Sequence, residues 1–305
     1  MRKKLYLFYC ALSCLSCVLF AQQDDQLSQY AFNPLAVNPA YAGSREVMNA
    51  SLSARSQWSG FQGSPQTIAL ALSSPLSQNK MALGFRLRDE KNLFEQKLEA
   101  SVCYAYRIHL LNGKLALGLS AGLTNSTFNW FNADFKDNTD VFAQNTRSSV
   151  LIPRFDAGVF FNNEKSFLSL SASHLYDKAV IREDGSKYSG NLKPHLYFAY
   201  SRAFVLNDNL ILNPAIVGKW TNTTDPLVDM NLYLCIKNIF WIGSGYRSNN
   251  SMLFLAQIVV HKTLRIGYSY DAMPSGLLHP YSTHEVLLSI DLQTFKGKAL
   301  SFRYF

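Results

Sequence analysis

The chain has 305 residues, 29 of them basic and 21 acidic, and the resulting formal charge of +8 is spread without clusters, which points away from a nucleic-acid partner. Beyond the N terminus no uncharged apolar run approaches the roughly 18 residues that would mark a membrane-spanning helix. Three of the five cysteines (Cys10, Cys14 and Cys17) fall at the extreme N terminus, so Cys103 and Cys235 remain and no disulfide framework is expected.

Residues 1–21 read as an export signal. Arg2, Lys3 and Lys4 precede an apolar run from Leu5 to Phe20, and Ala21 ends it before the polar Gln22-Gln23-Asp24-Asp25. Leu19, three residues from this cut, is larger than the ideal. A lipoprotein cut before Cys14 or Cys17 is the alternative, because small and apolar residues precede both. Without the signal, 26 basic residues face 21 acidic ones, a balance of +5.

Residues 22–46 form a second unit, with the core QYAFNPLAVNPAYAGS from Gln29 to Ser44. Asn33-Pro34 and Asn38-Pro39 each remove a backbone donor and push the preceding Asn out of the helical region, so neither a helix nor a central strand can run through.

From 47 to 305 the chain alternates with a period of two. Met48, Ala50, Leu52, Ala54, Ser56 and Trp58 oppose Asn49, Ser51, Ser53, Arg55 and Gln57. Leu98, Ala100, Val102, Tyr104, Tyr106 and Ile108 oppose Lys97, Glu99, Ser101, Cys103, Ala105 and Arg107, and Leu115, Leu117, Leu119, Ala121 and Leu123 alternate with a face of small residues. Such a pattern predicts half-buried strands. Equivalent segments recur near 66–73, 80–88, 154–161, 166–175, 194–204, 210–220, 228–237, 239–247, 251–261, 264–271, 285–292 and 299–305, about fifteen with one surplus or split. Turn signals such as Asn112-Gly113, Asn162-Asn163, Asn207-Asp208-Asn209 and Ser248-Asn249-Asn250 separate them. Longer connections are expected at 126–153, 176–193 and 272–282, which gives one compact and one elaborated end.

A soluble sandwich would alternate too. The export signal, the even strand spacing and aromatics near segment ends instead favour an all-β fold: a transmembrane antiparallel β-barrel of about 14 strands, of outer-membrane type. Trp58, Tyr104, Tyr106, Trp130, Trp220, Trp241, Tyr268 and Tyr270 would supply its interfacial girdles. The ending Leu300-Ser301-Phe302-Arg303-Tyr304-Phe305 resembles a closing strand, although its apolar face is out of phase with the terminal Phe305.

The opening QYAFNPLAVNPAYAGS, followed by SARSQWSGFQGSPQTIALALSSPL, RFDAGVFFNNEKSFLSLSASHLY, KPHLYFAYSRAFVLNDNLILNPAIVGKW, FWIGSGYRSNNSMLF and LRIGYSYDAMPSGLLHPYSTHEVLLSIDL, resembles the PorP/SprF family of type IX secretion membrane proteins of Bacteroidetes. That resemblance implies an outer-membrane barrel in type IX secretion or gliding motility. It also implies partners: an OmpA-like, peptidoglycan-binding periplasmic protein, a secreted surface adhesin, or both. Within such a barrel the segment 22–46 is expected off the lipid wall, in the lumen or at the periplasmic rim, as a plug, a packed lead-in or a docking surface. Its candidate partner-binding residues are Tyr30, Phe32, Asn33, Pro34, Asn38, Pro39 and Tyr41, joined by Trp130 from the 126–153 loop.

Motifs for chemistry are sparse. The six histidines are scattered, and no zinc spacing, nucleophile elbow or phosphate loop is present. No catalytic residue, cofactor or metal is therefore expected. Asp271, His279, His284 and Glu285 lie close in sequence, and inward-facing polar partners is the expected role for Asp271 and the His284-Glu285 pair. The reading is a non-enzymatic outer-membrane anchor; the alternative is a diffusion porin or small-solute transporter sharing the same barrel, and a barrel hydrolase built on Asp271, His279, His284 and Glu285 is disfavoured because no nucleophile is recognisable.

Overall fold

The computed structural model describes residues 27–76, 80–110, 112–129, 147–176, 180–181, 187–188, 193–222, 224–261, 263–273 and 281–292. The wall begins with β1 (Met48–Ser59), β2 (Gln66–Pro75), β3 (Met81–Lys91), β4 (Glu95–Leu110), β5 (Gly113–Asn129), β6 (Arg147–Asn162) and β7 (Ser166–Ser173). A small ribbon of β8 (Val180–Ile181) and β9 (Lys187–Tyr188) stands apart from it. The wall resumes with β10 (His195–Arg202), continued by β11 (Phe204–Asn207), then β12 (Leu210–Thr221), β13 (Thr224–Ile236), β14 (Phe240–Arg247), β15 (Ser251–His261), β16 (Leu264–Ala272) and β17 (Ser282–Leu292).

Neighbours pair antiparallel in chain order, β10 bridges β7 to β12, and β1 pairs with β17 from Met48↔Leu292 to Ser59↔Ser282. Counting β10 and β11 as one strand interrupted at Ala203, the result is a closed antiparallel barrel of fourteen wall strands among the described residues. Closure leaves no unpaired edge, the condition for a sheet in hydrocarbon. The predicted strand over 299–305 lies outside the described residues, and the ring closes without it.

Alternation places the faces as the pattern requires. Outward side chains form an apolar band that includes Leu52, Val102, Leu119, Met230, Phe254 and Val286, with Leu119 65% exposed to the surroundings of the barrel. Inward positions carry Ser, Asn, Asp, Arg and small residues, as in Asn49, Ser51, Ser53 and Arg55 on β1. Cys103 and Cys235 are inward, buried and unbridged. The end of β17 at Leu292 and the entry to β1 lie at the end of the barrel that carries the tight turns, whereas β5, β7 and β16 finish at the opposite end.

Two expectations need correction. Trp241 does not belong to an interfacial girdle: it sits on the inward face of β14, 8% exposed. The reason is a strand phase shared with Gly243 and Gly245, which leaves Ile242 and Tyr246 on the lipid side. His284 is not an inward partner of Glu285. Successive residues of a strand face opposite ways, so Glu285 and Asp271 enter the lumen while His284 lies outside. Of the other girdle candidates, Tyr104, Tyr106, Trp220 and Tyr268 are exposed on the outer face, Tyr270 is half-buried, and Trp58 is half-buried in a bulge of β1.

Candidate functional site

The lumen holds part of the chain itself. Each Asn-Pro step of the N-terminal segment starts a short 3-10 turn, Pro34–Ala36 and Pro39–Tyr41, with proline at the position that needs no donor. The Asn38 side chain caps the second turn by accepting from Ala40 N (2.9 Å). Further short-range bonds, Asn33 N to Tyr30 O (3.1 Å), Asn38 N to Pro34 O (2.9 Å) and Ser44 N to Tyr41 O (2.9 Å), satisfy the backbone locally. A segment surrounded by a barrel wall and offered no ladder must pair its own backbone groups this way.

Three parts of the wall grip it. On β1, β16 and β17, Ser28 N donates to Glu285 Oε2 (2.6 Å), Ser28 Oγ to Asp271 Oδ2 (2.6 Å), and Gln29 Nε2 to Glu285 O (3.1 Å). On β13 and β14, Phe32 meets Tyr233 and Trp241 edge-on at 5.2 and 5.6 Å. On β6 and β7, Asn38 Nδ2 donates to Val159 O (3.0 Å), Ser169 Oγ (2.8 Å) and Leu170 O (3.2 Å), while Ser171 Oγ donates to Val37 O (2.9 Å). Tyr41 packs edge-on to Phe160 at 5.1 Å. Where the segment leaves for β1, Arg45 forks onto Asp291 with bonds of 2.9 and 2.8 Å.

Close approach depends on missing side chains. A Cβ on Gly118 would overlap the Ala40 backbone, and one on Gly158 would overlap the Asn38 side chain. Ala82, Ala105 and Ala116 continue this smooth wall around Leu35, Ala40 and Ala42. The face of small residues read from the sequence is the face on which the segment rests.

Besides the Arg45–Asp291 pair, two larger inward clusters gather buried charge. One runs through Glu285, Arg55, Asp271, Arg247 and Asp229, with Arg247 forked onto Asp229 at 2.8 and 2.9 Å and Arg55 reaching Asp271 (3.1 Å) and Glu285 (3.3 Å). The other joins Arg86, Asp156, Arg154 and Glu99 across β3 to β6. Arg55, Arg247 and Arg154 are each shared between two carboxylates, and Arg86 pairs with Asp156 and the hydroxyls of Ser101 and Ser120, which offsets the cost of burying these charges. Burial, followed by the nearby Asp229 charge, pushes the Tyr30 phenol well above its ordinary range, so it stays neutral beside this cluster. A cavity of about 60 Å³ remains between segment and wall, bordered by Tyr30, Asn33, Ala36, Arg86, Glu99 and Arg154.

The seven candidate residues of the segment lie together in the lumen. Tyr30, Asn33, Pro34, Asn38, Pro39 and Tyr41 are buried, Phe32 is half-buried, and the contacts given above for Phe32, Asn38 and Tyr41 are with the wall. Trp130 lies outside the described residues. Sequence reading placed Asp271 and Glu285 inward, as found, but missed their partners Ser28, Gln29 and Arg55; the available signal was Arg55, a lone charge on the polar face of β1. Among the described residues no group of metal ligands is assembled.

Solved structures similar in shape are outer-membrane proteins and channels. Acinetobacter baumannii Omp33 shares 6% identity and a TM-score of 0.47 over 81% of this chain and 99% of its own. The CymD monoaromatic hydrocarbon channel shares 8% and 0.49 over 86% and 99%, and the Pseudomonas putida toluene transporter TodX 8% and 0.46 over 88% and 93%. At identities this low the strand pairing itself remains the evidence for the fold. No curated protein matches the chain. The family profile described as type IX secretion system membrane protein PorP/SprF matches residues 19–290, nearly the whole chain. With an outer-membrane barrel around it, that match identifies the chain as a member of the PorP/SprF family of type IX secretion system membrane proteins.

Proposed function

We propose that this barrel serves type IX secretion as an anchor whose lumen is closed by residues 27–47 of its own chain, after export through a signal cleaved at Ala21. The observation that carries the reading is the three-sided grip on that segment, from Glu285 and Asp271 at one wall to Asn38 against β6 and β7 at another. A passage for solutes would have to displace it. Binding then falls to the two ends of the barrel. The tight-turn end, with exposed Glu164, Lys165, Asp208 and Lys237, suits a periplasmic partner such as an OmpA-like peptidoglycan-binding protein, and the long connections suit a secreted adhesin. Tyr30, Phe32 and Tyr41 act by holding the segment in place, which fixes the rim from which partners are met.

Planar-bilayer recording tests this. The intact protein should show no steady channel, and removal of 29–44 should open one while the barrel keeps its heat-modifiable migration. A steady conductance from the intact protein would replace the anchor with a diffusion porin, the reading that the polar inner wall favours.

A further inference from the structure

The outer face carries a second constellation, set apart from the lumen. Ser282 and His284 are two residues apart on β17 and therefore share its outward side. Ser282 Oγ lies 3.1 Å from His284 Nε2, and His284 Nδ1 lies 2.7 Å from the hydroxyl of Tyr268 on β16. The Tyr270 ring stands 5.3 Å from the imidazole. A hydroxyl, an imidazole and a group that orients the imidazole, in this order and at these spacings, form the arrangement that activates a serine nucleophile.

The adjoining strand supplies more hydroxyls. β1 pairs Ser56 with His284 and Ser59 with Ser282, and the register slips between them at a bulge containing Trp58 at φ 50°. Ser56 and Ser59 hydrogen-bond each other at 3.0 Å, and Trp58 N donates to Thr283 Oγ1 (3.2 Å). Bulges of this kind re-aim side chains at the rims of barrels and beside active sites.

Depth along the wall gives the substrate class. Deeper along the same outer face come Val286, Leu288, Ile266 and Leu52, all exposed in the apolar band. The cluster stands at the edge of that band, on the side of the long connections, where tyrosines meet the headgroup layer. Acyl ester carbonyls of membrane lipids lie at this boundary between hydrocarbon and water.

We infer that Ser282, His284 and Tyr268 form a lipid acyl-ester hydrolase site on the outer wall. With its proton on Nδ1, held by the Tyr268 oxygen, His284 presents a free Nε2 to Ser282. Ser282 Oγ attacks the ester carbonyl as its proton passes to Nε2. The carbonyl–alcohol bond breaks, and the same proton leaves with the lysolipid oxygen. Water, losing its proton to His284, then cleaves the acyl-serine, releasing a fatty acid and restoring the serine. Tyr268 is a positioning residue. A neutral phenol stabilises imidazolium less than a carboxylate does, so the site is a slow one.

The inference rests on the barrel's place in a membrane, not on the secretion reading, and its test is independent of conductance. The full chain, reconstituted in vesicles of diacyl phosphatidylcholine, should release fatty acid and take up a fluorophosphonate probe at Ser282. S282A should abolish both, and H284A should slow release by about 10²–10⁴-fold. Y268F should lower kcat with KM unchanged. S289A, an inward hydroxyl on the same strand, should retain full labelling, and all variants should keep heat-modifiable migration. A folded intact protein that releases no fatty acid and takes up no probe overturns the assignment, as does labelling that survives S282A.

Discussion

The two halves of the lumen hold one short segment by different physics. On the β1, β16 and β17 side the grip is ionic: Ser28 and Gln29 fit between Glu285, Asp271 and Arg55, groups that are buried together. On the β3 to β7 side the grip is steric: Ala82, Ala105, Ala116, Gly118 and Gly158 leave a trough that Leu35 to Ala42 fills. The first half depends above all on its charges, although Gly267 also leaves the room that Gln29 fills. The second tolerates little added volume, and its polar bonds to the segment include those of Ser169 with Asn38, Ser171 with Val37 O and Lys114 with Glu46. A segment without regular structure can thus be fixed without a ladder, provided one wall recognises its polar groups and another its shape.

The contrast can be broken most forcefully at Arg55. R55M leaves Glu285 and Asp271 without one of their shared cations, and losing one partner of a buried pair costs about 3–5 kcal/mol; the denaturant midpoint of the barrel should fall and proteolysis within 27–47 should begin. Filling the trough comes next. G158V drives a side chain into Asn38, an overpacking that costs about 1–3 kcal/mol, and steady conductance should appear. N38A removes three donor bonds to β6 and β7 and the cap on Pro39–Tyr41, and leaving their buried partners unmet costs about 1–3 kcal/mol; flickering openings are expected. The smallest effect belongs to S171A, which deletes one bond to Val37 O and should shift the midpoint by about 0.5–1.5 kcal/mol with no conductance change. Should R55M and G158V expose the segment to protease equally at both its ends, the two grips are a single cooperative unit.

Much of the wall was legible because a barrel strand writes its two faces into alternate residues. The even positions of 97–108 predicted as one face are the outward side of β4, and the polar odd positions of 49–57 line the lumen. Boundaries were less legible. β5 runs to Asn129 and β6 starts at Arg147, so the connection is shorter than the polar composition of 126–153 suggested. Trp241 misled because its residue type was weighed above its strand phase: it shares the small, polar face of Gly243, Gly245 and Arg247 and meets Phe32 of the segment. The Ser28–Glu285–Asp271 and Ser282–His284–Tyr268 groupings join residues distant in the chain, which the register between β16, β17 and β1 brings together.

The segment 27–47 continues directly into β1, the strand that pairs with β17 to complete the ring. Arg45, at the junction, is already clamped to Asp291 of β17. The stretch crosses the interior from Ser28, bonded to Glu285 near the start of β17, to Arg45, bonded to Asp291 near its end. The leader therefore ties the closing strand at two levels, so its seating and the integrity of the last seam are coupled: what loosens one loosens the other.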